Sequence, residues 1–145
     1  MRRDKQYVMS ATHYQEGGCL CGAIRYRIHG AALATSSCHC HSCRLAAGAP
    51  SLAWAIFHRE QVEFVRGAPT EFRSSPPAMR GFCAVCGTAL TYRTDRRPDQ
   101  LDITSATFDD PTPFAPGCEI WVAEKLAWEP LSPVLKHYVG SSRGV

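Results

Sequence analysis

Cys38-His39-Cys40-His41-Ser42-Cys43-Arg44 places three cysteines in a C-x-C-x-x-C spacing. Two further pairs bracket it, Cys19-Leu20-Cys21-Gly22 upstream and Cys83-Ala84-Val85-Cys86-Gly87 downstream. Seven of the eight cysteines therefore fall in three short clusters. The clusters read as two zinc sites, one closed and structural, the other open and chemical.

The remaining sequence limits what can surround those sites. At 145 residues the chain is long enough for one domain with its own core. Hydrophobic content of 45% and aromatic content of 10% exclude a disordered chain. No run approaches the ~18 apolar residues of a membrane span. No apolar stretch of a secretory signal follows the charged Met1-Arg2-Arg3-Asp4-Lys5. A cytoplasmic location is expected, where thiols stay reduced and clustered cysteines bind metal more often than they pair. The net charge of +3 is scattered. Its densest group, Arg93, Arg96 and Arg97, is interrupted by Asp95 and followed by Asp99, and reads as a solvated turn. No nucleic-acid or membrane partner is expected.

Working outward from the clusters, the pattern is that of strands. Residues 1–14 form an N-terminal lead-in, and no periodic pattern emerges before residue 17. Ile24, Tyr26 and Ile28 alternate with Arg25 and Arg27, predicting a half-buried strand. Residues 29–37 read as a small, polar lead into the triple-cysteine loop, and 45–50 as one helical turn ended by Gly48 and Pro50. Strands are expected over 51–57 (Leu52, Trp54 and Ile56 toward the core), 61–66, 70–73, 88–94, 101–107 and 119–123. Ser74-Ser75-Pro76-Pro77 and the proline-rich 109–117 read as loops. Ser132-Pro133 predicts the start of a short helix reaching Tyr138, and a C-terminal tail occupies 139–145. The expectation is a mainly β single domain over residues 15–138, made of short antiparallel strands around zinc sites.

The cysteine spacings suit two different jobs. In C-x-x-C-G, two intervening residues let both sulfurs converge, and the glycine lets the backbone turn so that amides point at sulfur. Cys83 and Cys86, with the tighter pair Cys19 and Cys21, complete the four-thiolate set of a structural zinc. That site would bridge the 61 residues from Gly22 to Phe82. Cys38, Cys40 and Cys43 supply three ligands from one loop and leave a fourth position for water or a substrate thiol. Zinc there would hold that thiol as the nucleophilic thiolate. Arg44 is the neighbouring positive charge that offsets the thiolates. Two alternatives stay open: His39, His41 or a distant residue closes the site, or the trio is a metal-free redox switch. Cys118 reads as a lone buried thiol, and His13, His29, His58 and His137 lack paired spacing.

Three stretches together resemble the glutathione-dependent formaldehyde-activating enzyme family, also called the GFA or centromere-protein-V-like family. They are Gly17 to Tyr26, Cys38 to Arg44 with Gly48-Ala49, and Phe82 to Thr88. The resemblance implies a fold of the Mss4-like type. It implies two zinc ions per chain, a structural one on Cys19, Cys21, Cys83 and Cys86, and one at the active site on Cys38, Cys40 and Cys43. It implies a carbon–sulfur lyase that condenses glutathione with formaldehyde to S-hydroxymethylglutathione. Arg44, Arg80 and Arg93 are the candidates for the glutathione carboxylates. The alternative is a non-catalytic zinc-binding β module that binds a protein or other macromolecule.

Overall fold

The computed structural model describes residues 13–142. Most of the lead-in (1–12) and the end of the tail (143–145) lie outside the described residues. Two sheets make up the domain. The smaller has the order β1-β2-β5, from Tyr14–Gly18, Arg25–His29 and Val62–Arg66. The larger has the order β11-β10-β3-β4-β9-β8-β7-β6. Its strands are β3 (Ala34–Cys38), β4 (Leu52–His58), β6 (Thr70–Ser75), β7 (Ala78–Phe82), β8 (Ala89–Thr94), β9 (Gln100–Thr104), β10 (Cys118–Ile120) and β11 (Lys136–His137). One helix, α1, spans His41–Ala47. No helix among the described residues is long and apolar enough to cross a membrane.

The mainly β expectation is met, with local corrections. The lead-in gives way to a strand at Tyr14, because β1 pairs along the whole of β2, with Tyr14 opposite His29 and Gly18 opposite Arg25. The small residues of 34–38 form a central strand rather than a lead-in. There, hydrogen bonding to β4 and β10 on either side replaces side-chain bulk as the organising force. The helix expected from Ser132 is absent; Lys136 and His137 instead pair parallel to Cys118 and Glu119. The β3–β10 pairing is also parallel, so the larger sheet is mixed at this edge.

The core lies between the sheets. Ile24, Tyr26 and Ile28 meet Ala55, Phe57, Leu101 and Ile103, closed by Phe108 and Phe114 from the connections after β9. Phe108 and Phe114 stack with ring centroids 4.0 Å apart. On β4 the expected alternation is present but the core face is the opposite one. Ala55 and Phe57, both 0% exposed, enter the main core. Trp54 enters a second cluster with Cys38 and Cys43. This strand is buried on both faces because the second face forms part of a site.

Gly17 has a packing reason to be glycine. A Cβ there would strike the Tyr26 hydroxyl and lie 2.5 Å from the Thr107 carbonyl. Tyr26 is itself fixed by a 2.8 Å hydrogen bond between its hydroxyl and Thr107 Oγ1. Gly17→Ala is expected to destabilise the domain by about 3 kcal/mol, the upper end of overpacking costs. A urea unfolding titration reads this as a lower midpoint at unchanged slope.

Candidate metal centre and pocket

Cys19 and Cys21 sit on the turn between β1 and β2, and Cys83 and Cys86 on the turn between β7 and β8. The two turns are built alike. Gly22 and Gly87 take left-handed φ values of 78° and 80°. The amides of Ile24 and Cys86 donate to the sulfurs of Cys19 (3.2 Å) and Cys83 (3.5 Å). The turns are tied together directly as well, through Leu20 N–H donating to Thr88 Oγ1 at 3.1 Å. All four sulfurs lie within 4.8 Å of one another. Cys19–Cys21 and Cys21–Cys83 are 3.6 and 3.8 Å apart. Thiolates ~2.3 Å from a common tetrahedral centre stand ~3.8 Å apart, so the set fits a metal ion. Hydrogen bonding from the Thr88 hydroxyl lowers the Cys86 thiol to about 5, which favours the ligating form.

The second set, Cys38, Cys40 and Cys43, also has its sulfurs within 4.8 Å of one another. Cys38 ends β3, Cys40 is the N-cap of α1 and Cys43 lies in its first turn. The helix therefore begins inside the cysteine loop, four residues before the helical turn expected from sequence. Gly48, at φ 60°, closes it as expected. Cys43 N–H donates to Cys40 Sγ at 3.3 Å. The Cys38 and Cys43 thiols, hydrogen-bonded to Cys40, pull its thiol down to about 2, while the same contacts and burial push Cys38 up.

The positive group beside the three sulfurs is Arg80. Both terminal nitrogens of Arg80 lie 3.5 and 3.6 Å from Cys43 Sγ. Its guanidinium sits 5.0 Å from the centre of the Tyr92 ring, and Nε donates to Ser74 Oγ at 3.2 Å. Arg80 reaches the loop because β7 pairs with β8 and puts Arg80 opposite Tyr92. Arg44 lies within α1, where its carbonyl accepts the capping N–H of Gly48 and its Nε is buried without a hydrogen-bond partner. Arg93 is held elsewhere, 2.7 Å from Glu71.

His39 does not join the sulfur set. It is 1% exposed and its Nε2 lies 3.0 Å from Glu119 Oε1. Glu119 also accepts the Ser132 N–H at 2.7 Å and stands 3.3 Å from His137 Nε2. This buried brace ties the cysteine loop to β10 and the C-terminal segment. His41 is exposed. No fourth His, Cys, Asp or Glu ligand atom joins the three sulfurs among the described residues. Cys118 belongs to neither set and is half-buried at the start of β10.

The three cysteines line a cavity of about 430 Å³. Trp54 and Ile56 of β4, Tyr92 of β8, Asp102 of β9 and Trp121 contribute to its wall. Arg80, Arg96 and Arg97 line it too. The turn that read as solvated thus delivers two of its arginines to the site. Arg97 forms a paired contact with Asp102 at 3.1 and 3.2 Å. Ser141 and Ser142, in the expected tail, reach the same wall. The strands expected over 88–94 and 101–107 contain Tyr92 and Asp102; Arg80 was named only among the candidates for the glutathione carboxylates, and nothing local marked Trp121 or the serines.

A mainly β domain with one four-sulfur cluster tying two turns and one three-sulfur cluster on a cavity is a cysteine-cluster protein able to hold metal ions. The profile of the family described as glutathione-dependent formaldehyde-activating enzyme (GFA) matches residues 14–124, and the chain belongs to that family. A relative from Schizosaccharomyces pombe, described as an uncharacterized lyase, is 34% identical over 102 residues, covering 65% of this chain and 74% of the relative. A Rhodobacter sphaeroides protein of known crystal structure shares the fold with a TM-score of 0.55 at 19% identity, over 85% of this chain and 98% of that one.

Proposed function

We propose that this protein is a zinc-dependent enzyme of carbon–sulfur chemistry, joining a thiol to a small aldehyde. Glutathione and formaldehyde are the pair that the family's description implies. The observation that carries the reading is the three-sulfur cluster on the wall of a cavity, with no fourth side-chain ligand among the described residues. Zinc held by Cys38, Cys40 and Cys43 would acidify a thiol in the fourth position and keep it as thiolate. Cys19, Cys21, Cys83 and Cys86 would hold a second, structural zinc.

The chain's own residues have definable parts in this reaction. Arg80 balances the negative charge of the thiolates from beside Cys43. The His39–Glu119 brace fixes the loop, so the sulfurs keep their spacing. Trp54 and Ile56 exclude water from one wall. The reaction forms the S–C bond as the carbonyl π pair moves to oxygen, which takes up a proton. The thiol has given up its own proton, so atoms and charge balance.

The test is the rate of S-hydroxymethylglutathione formation near neutral pH, followed by exchange NMR, alongside zinc content. Protein with about two zinc ions per chain is expected to accelerate the reaction above its spontaneous rate. Equal rates with and without zinc-loaded protein would sink the enzymatic reading.

A further inference from the structure

Trp121 is the only residue other than glycine, among the described residues, with a left-handed backbone: φ 56°, ψ 37°. For a bulky L-residue this conformation costs about 1–2 kcal/mol, whereas glycine adopts it freely. The turn that ends β10 therefore has no need of tryptophan. The conformation is held in place from the C-terminal side. Trp121 N–H donates to the Gly140 carbonyl at 2.9 Å, and Val122 N–H to that of Tyr138 at 3.1 Å. Gly140 lies beside the ring: a Cβ there would make ordinary van der Waals contact with the indole, at 3.8 Å. What the strain achieves is placement: the indole, 37% exposed, joins the wall of the cavity that holds the three cysteines. Strain of this kind concentrates where a side chain contacts a ligand.

The size of the cavity points the same way. At about 430 Å³ it falls within the ~300–1,000 Å³ in which protein pockets enclose metabolite-sized ligands. An aldehyde of one carbon and a two-carbon thiol leave most of it unused.

We propose that Trp121 determines which thiols the site accepts. Its indole is the wall against which the non-reacting body of a peptide-sized thiol lies while the sulfur meets the cysteine cluster. This rests on the reading of the cavity as a thiol site. Trp121 is a specificity residue and takes no part in bond making.

The test is calorimetric titration of the zinc-loaded full chain with glutathione and, separately, with 2-mercaptoethanol, which needs no turnover. Trp121→Gly removes the ring while suiting the backbone. It is expected to weaken glutathione binding ~10-fold and to leave 2-mercaptoethanol within ~2-fold. Trp121→Phe, which retains a ring, is expected to fall between the two, and it decides the matter if the glycine variant does not fold. Unchanged glutathione binding, or equal losses for both thiols, would overturn the assignment. A wild-type protein that binds neither thiol would overturn the thiol-site reading beneath it, a failure visible before any variant is made.

Discussion

Cys83→Ser is expected to release one of the two zinc ions proposed above and to lower stability by about 4 kcal/mol. The figure follows from treating the metal as a cross-link. The site joins turns separated by the 61 residues from Gly22 to Phe82, and opening a loop of that length returns this much conformational entropy to the unfolded chain. A domain of this size has about 5–15 kcal/mol in all, so between about a quarter and four-fifths of its margin would go. The site of substitution adds to the effect: Cys83 is 1% exposed, and a buried hydroxyl in its place would lack the metal as partner. Zinc assay and urea denaturation on the same sample check the prediction. Full stability with one zinc lost would mean that the core between the sheets suffices without the staple.

The opposite separation is expected for Cys40→Ser. Activity should fall to the spontaneous rate and the central zinc should be lost, while the thermal midpoint moves by only a few degrees. The reason lies in the two roles of Cys40. Its sulfur is the central member of the three-sulfur set and also the N-cap acceptor for Cys43 N–H. Serine is among the preferred N-caps, so it takes over the second role and abandons the first. Cys40→Ala removes both and is expected to cost about 1 kcal/mol more than the serine variant. Rate assays, zinc content and melting curves on both variants resolve the roles. Retained catalysis in a serine variant lacking the central zinc would remove metal from the proposed chemistry.

What the sequence disclosed and what it withheld have a common physical basis. Metal-ligand spacing is local, so the cysteine clusters were legible, as were the glycines that shape their turns. Strands with bulky alternation were legible for the same reason, as with Ile24, Tyr26 and Ile28. The core face of β4 was not, because Leu52, Trp54 and Ile56 outweigh Ala55 and Phe57 in bulk while the latter pair meets the second sheet. Arg44 was preferred to Arg80 because adjacency in the chain stood in for adjacency in space. Arg80 comes to Cys43 through strand pairing across 37 positions, and no local pattern encodes that. The Glu119 brace was hidden likewise, with His39 80 positions away from its partner.

The double burial of β4 constrains how this protein can change. Trp54 and Ile56 alternate with Ala55 and Phe57 within four consecutive residues, so a single insertion there would exchange pocket wall and core together. On the role proposed for Trp121, new substrate preferences would be more accessible through that residue and its loop, which lie outside the core clusters. An evolving lineage would retain the strand as inheritance and experiment at the rim.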